Sequence, residues 1–176
     1  CLIRVTDTFK KAVKTLGGLE ILVNNAGVIN ESDFAKTIDV NVVTTLLGIQ
    51  QMQKDSGGKG GVIVNISSVA GLYSLSQLPV YSATKHAVVS FSRSFAVRSG
   101  SSRNVVHSYS QFNPLYCIRV DSVAHGLVYV VRCAQNGSIW ISEDGKPVYE
   151  IQLFDSLPQK HNDSILEENE RKMQID

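Results

Sequence analysis

Apolar residues recur at helical spacing through VTDTFKKAVKTLGG, and the run closes on Gly17 and Gly18, a pattern that predicts a helix with a glycine stop. LEILVNNAG then reads as a short apolar strand. A second helix is predicted from Ser32 to about Gln53, and after the connector KDSGGKGG a β-branched strand follows in GGVIVNISS. LPVYSATKHAVVSFSRSFAV places Pro79 in a first helical turn and apolar residues at 80, 83, 87, 88, 91 and 95, which predicts a long buried helix. From Arg98 to Arg119 no pattern is legible. It resumes in DSVAHGLVYVVRCAQNG, a helix with Asp121 or Ser122 as cap and Gly137 as stop; SIWISEDGKPVYEI reads as a strand, a turn at Asp144-Gly145 and an extended segment.

Strands separated by helices predict an α/β fold, a parallel sheet covered on both faces. At 176 residues one core is expected: a single domain over 1–151 and a polar tail over 152–176, with a solvated helix at SILEENERKMQ. A net charge of +1 with interspersed Lys and Arg leaves no basic stripe, which argues against a nucleic-acid partner. No apolar run reaches the length of a membrane span and no signal segment opens the chain, so a cytoplasmic protein is expected. Cys1, Cys117 and Cys133 lack C-x-x-C spacing and the four His residues are scattered, so no metal site is predicted. The chain opens on Cys1 rather than Met and reads as an incomplete or processed product.

The candidate chemistry gathers around YSATK. Tyr81 and Lys85 lie one helical turn apart and face the same side of their helix, but that spacing is common and weak by itself. Two strand ends strengthen it. Asn24-Asn25-Ala26-Gly27 ends one strand and Ser67-Ser68 the next, and both open on the carboxyl edge of a parallel sheet, where ligands bind in open α/β folds. Ser68, thirteen residues before Tyr81, can face the first turns of the next helix across a loop, so that one ligand oxygen touches both. The glycines at 57, 58, 60 and 61 leave a helix and enter a strand, the reverse of a phosphate loop, and read as a connector.

In order and spacing, NNAG, ISS and YSATK resemble the short-chain dehydrogenase/reductase family, over about Val5 to Arg98 and again from Asp121 to Ile151. The wording of ILVNNAGVIN, GGVIVNISSVAGL and NGSIWISEDGKPVYEI is most similar to its insect alcohol dehydrogenase and 15-hydroxyprostaglandin dehydrogenase branch. The resemblance implies a Rossmann-like, doubly wound three-layer fold and hydride transfer between a nicotinamide cofactor, NAD with NADP left open, and a secondary alcohol or its ketone. It further implies Tyr81 as acid or base, Lys85 as its electrostatic partner and a ribose ligand, and Ser68 as the hydrogen-bond partner of the substrate oxygen. Asn41 would bend its helix and hold a water in a proton relay. Asn25 would stabilise its strand, and Ala26 and Gly27 would bring bare backbone to the cofactor. Homo-oligomers built through the two central helices are also implied.

The departures are as specific as the match. No Gly-rich strand-turn-helix precedes NNAG, so the fold is expected to be incomplete and these 176 residues alone are expected to bind neither NAD nor NADP usefully. The buried strand that the family places between Arg98 and Arg119 is not found. Leu78 stands where prostaglandin-oxidising members would carry a polar amide, which weakens a prostaglandin as substrate. A truncated, non-catalytic relative acting only as an interaction module is the alternative.

Overall fold

The computed structural model describes residues 2–53, 59–98, 102–109 and 119–153. Helix α1 (Leu2–Leu16) stops where Gly17 takes φ 74°, a left-handed conformation that costs glycine little. Strand β1 (Ile21–Asn24) leads to α2 (Phe34–Ile38) and α3 (Thr44–Met52), two halves of one helical run joined by a wide π turn over Asp39–Val43. There the Thr44 N–H reaches back five residues to the Asp39 carbonyl, and Asn41 sits inside the widened turn. The predicted helix from Ser32 is therefore present but bulged, and its cap is Asp33, which accepts from the Lys36 N–H at 3.0 Å. Strand β2 (Gly61–Ile66), a 3₁₀ turn over Val69–Gly71 and α4 (Pro79–Arg98) follow.

The stretch without legible pattern contains a strand after all. β3 (Ser102–Tyr109) lies in the middle of the sheet, parallel to β2 on one side (Ile66 opposite His107) and to β4 (Ile139–Ser142) on the other (His107 opposite Trp140). Its polar residues hid it, because a central strand is expected to be nearly all apolar. Helix α5 (Val120–Cys133) begins at Arg119 without a side-chain cap, not at Asp121 or Ser122. It ends at Ala134, so Gly137 serves the turn into β4 rather than stopping the helix. Strand β5 (Tyr149–Ile151) returns antiparallel to β4.

The sheet runs β1-β2-β3-β4-β5, and alternate residues of its strands serve two cores. Leu22 and Ile63 pack with Ile49 and Met52 of α3, and Phe9, Phe91 and Phe95 of α1 and α4 close that layer. Val64, Ile66, Val105 and Trp140 face the other way, against Val130 of α5 and Ala134. Helices thus cover both faces, the doubly wound arrangement expected. The three strand steps run in one direction, yet α3 and α4 lie on one face and α5 on the opposite one, so the β3–α5–β4 connection has the opposite hand to the other two. Val89 of α4 already packs on Ile139 of β4, so the face a same-handed α5 would need is taken. Among the described residues no helix is long and apolar enough to cross a membrane. Gly57 and Gly58 of the connector and the tail from 154 onward, with its predicted helix, lie outside the described residues.

Candidate active site

Parallel pairing of β1 with β2, Asn24 opposite Asn65, brings their carboxyl ends to one edge, and the chain that leaves each end runs into the same neighbourhood. Beyond β2, Ser67 and Ser68 part ways. The Ser67 hydroxyl is buried and donates to the Lys85 carbonyl at 3.1 Å. The Ser68 hydroxyl caps the 3₁₀ turn by accepting from the Ala70 N–H at 3.2 Å, an arrangement that leaves its own proton to be donated elsewhere. The turn packs tightly on α4: a Cβ on Gly71 would lie 2.6 Å from the Lys85 carbonyl oxygen. Ser68 is thereby held against the helix that carries Tyr81 and Lys85.

On α4 both of those side chains are buried, Tyr81 to 7% exposure and Lys85 to 3%. The Lys85 Nζ donates to the Ile66 carbonyl at 3.0 Å and lies 5.6 Å from the centre of the Tyr81 ring. Burial disfavours the ammonium and brings the Lys85 pKa down from 10.5 to about 8, which keeps the group mostly charged at neutral pH.

Asn41 joins the same site from the other side. Its Oδ1 accepts from the Val28 N–H at 2.8 Å, and its Nδ2 donates to the Val28 carbonyl at 2.9 Å and to the Thr84 hydroxyl at 3.0 Å. That side chain therefore ties the loop after β1 to α4, and Thr84 passes the tie to the Tyr81 carbonyl at 2.7 Å. Gly27 lies against the same groups: a Cβ there would lie 3.5 Å from the Lys85 Nζ and 3.6 Å from the Asn41 Oδ1, at ordinary contact distance, so the backbone comes close to both polar groups with no side chain between. Asn25, Ala26 and Gly27 are exposed. The strand-tying role expected of Asn25 belongs to Asn24, whose Nδ2 donates to Asn65 Oδ1 at 2.8 Å; Asn65 in turn donates to Ser92 of α4 at 2.8 Å.

Two residues of this site were not read from the sequence. Thr84 lies inside YSATK but looks like any helical threonine. Glu31 lies 50 residues from Tyr81, and its carboxylate accepts from the Val80 N–H and the Tyr81 N–H, each at 2.9 Å. The signal for it was indirect: Leu78, at the cap position of α4, has no side chain that can bond those amides. Among the described residues no group of His, Cys, Asp and Glu could hold a metal ion.

The family model described as short chain dehydrogenase matches residues 3–129. The chain is 46% identical over 112 residues to 15-hydroxyprostaglandin dehydrogenase (NAD+) of Rattus norvegicus, covering 58% of this chain and 42% of the relative. For the Homo sapiens protein of that name the identity is 45% over 116 residues, with 64% and 42% covered. The chain thus spans well under half the length of these relatives. A short chain dehydrogenase from Mycobacterium avium superposes with a TM-score of 0.71 at 22% identity, over 92% of this chain and 64% of that one. 4-hydroxyisoleucine dehydrogenase complexed with NADH superposes at 0.67 and 22% identity, over 82% and 76%.

Proposed function

Because the chain belongs to the short chain dehydrogenase family, we propose that it carries the catalytic half of an NAD-dependent oxidoreductase that interconverts a secondary alcohol and a ketone. The observation that supports this reading best is the buried pair of Tyr81 and Lys85, 5.6 Å apart at the carboxyl edge of the sheet. The Tyr81 phenol is the acid or base: it takes the alcohol proton in oxidation and returns it in reduction. An ammonium beside the ring favours the phenolate; two unit charges about 5 Å apart at an effective dielectric near 20 interact by about 3 kcal/mol. Ser68 donates its hydroxyl proton to the substrate oxygen and steadies the charge that develops there. Asn41 holds the loop and the helix in register around them.

The residues present fit the nicotinamide and ribose side of a dinucleotide. The bare backbone of Gly27 runs beside the Lys85 amine, which keeps two N–H donors besides the one given to Ile66. Asn25, Ala26 and Gly27 are exposed there for the cofactor to meet, and the cofactor, when bound, supplies the hydride acceptor or donor. NAD is preferred over NADP because the relatives' own name specifies NAD+. Substrate is a small or lipid-like alcohol, a reading with which the exposed apolar residues Ile29 and Tyr73 on the loops after β1 and β2 are compatible. Self-association through α2 and α4 belongs to the same reading.

Tyr81→Phe tests it. In a protein that joins the chain to an upstream Gly-rich strand-turn-helix unit, the substitution removes the transferable proton and little volume, so turnover of a 15-hydroxy fatty acid with NAD should fall by about 100-fold or more while cofactor affinity changes little. Full retained turnover would refute the assignment, and no turnover in that joined parent would favour the interaction-module alternative.

A further inference from the structure

The first turn of α4 is the weak point of the site, because it carries Tyr81 while the rest of the helix carries Lys85. Leu78 occupies the cap position, its carbonyl accepting from the Ser82 N–H at 2.9 Å, and its side chain offers no acceptor. Pro79 has no N–H. The amides left without intrahelical partners are therefore those of Val80 and Tyr81, and an uncapped first turn frays. Resting on the functional reading above, we propose that Glu31 is the positioning residue for Tyr81, its carboxylate clamping both amides at once.

The clamp is built on a prepared loop. Asn30 Oδ1 accepts from the Ser32 and Asp33 N–H groups at 3.1 and 3.0 Å, and the Asn30 carbonyl accepts from the buried Thr37 hydroxyl at 2.7 Å, so the residue before Glu31 is fixed from both sides. Three residues upstream, Val28 is bonded through both its N–H and its carbonyl to Asn41. The carboxylate thus arrives from a segment already bound to the catalytic elements, and its negative charge suits the positive end of the α4 dipole. Lys85 is anchored separately, by Ile66, and Ser68 by the 3₁₀ turn. Releasing Glu31 loosens the first turn of α4 at its amides while the Tyr81 carbonyl keeps its bond to Thr84, and the phenol loses part of its registry with two groups that stay in place.

Two measurements test this, amide exchange in the chain itself and kinetics in the protein that joins it to an upstream nucleotide-binding unit, with Tyr81→Phe as reference. Amide hydrogen exchange should find the Val80 and Tyr81 N–H groups protected in the parent, an observation that needs no variant, and about 10 to 100 times faster in Glu31→Ala with the rest of α4 unchanged. Glu31→Gln, which keeps one acceptor oxygen, should fall between. In Glu31→Ala, kcat should drop about 10- to 100-fold, the scale expected for a misplaced reacting group, with KM for NAD within about twofold. Unprotected amides in the parent, or wild-type kcat in Glu31→Ala beside an inactive Tyr81→Phe, overturn the inference alone. An active Tyr81→Phe or an inactive parent overturns the functional reading and the inference with it.

Discussion

Lys85 bears opposite demands. Its charge is wanted beside Tyr81, yet burial to 3% exposure pulls its pKa from 10.5 to about 8, so at pH 7 the folded chain carries a cation that it holds less well than the unfolded chain does. The difference corresponds to about 3 kcal/mol, an upper figure because solvent and the Ile66 carbonyl relieve part of it. Between pH 8 and 10.5 the unfolded chain keeps the proton that the folded chain has released, so stability rises with pH through that window. Below pH 8 the penalty is constant. Lys85→Met should therefore unfold at higher urea than the parent at pH 7, lose that advantage progressively from pH 8 to 10, and show no turnover. A variant less stable than the parent at pH 7 contradicts the account.

Between elements, the decisive contact on the second face of the sheet is polar. His107 of β3 is fully buried; its Nε2 meets the Ser142 hydroxyl of β4 at 2.7 Å, and its Nδ1 has no partner among the described residues. Helix α5 passes this pair at Gly126, where a Cβ would come within 2.3 Å of the Ser142 hydroxyl. Burial brings the His107 pKa from 6.5 down to about 4, so the imidazole is neutral in the fold. Its folded value lies below its unfolded one, which makes this contribution fully present above pH 6.5 and progressively lost as pH falls toward 4. At most about 3 kcal/mol is involved. Urea unfolding at pH 7, 5.5 and 4.5 should show the parent weakening relative to His107→Leu across that range; parallel curves would rule the buried histidine out as the cause. This polar pair is also why β3 was illegible: a central strand with Arg103, Asn104 and His107 breaks the apolar run by which buried strands are recognised, and the compensating Ser142 lies 35 residues on.

For the whole molecule, exposed apolar residues are spread over several elements, and α2 and α4 carry some of the largest. Phe34 and Ile38 of α2 are 62% and 42% exposed and Val97 of α4 is 90% exposed, more than isolated surface residues need explain. Self-association that covers them gives a sedimentation coefficient that rises with concentration up to tens of micromolar, and Phe34→Ser together with Ile38→Ser should return it to the monomer value. A parent that sediments as a monomer throughout that range removes the oligomer from the proposed function.

Much of the candidate site is local, and the sequence by itself determined that part. Tyr81 and Lys85 share a face because a helix repeats every 3.6 residues, Gly17 ends α1 because its conformation is cheap only for glycine, and NNAG and ISS end strands because apolar alternation stops there. The alternation of helix and strand likewise carried the fold class. Contacts between residues far apart in the chain were decided only by the tertiary structure. Nothing within a few residues of Asn24 says that its amide will cross to Asn65 while Asn25 stays exposed, nothing near Glu31 points to amides 49 and 50 residues away, and no periodicity chooses the face on which α5 packs. Those choices depend on which groups would be left buried without a partner once the sheet has closed, and that is a property of the packed chain, not of any stretch of it.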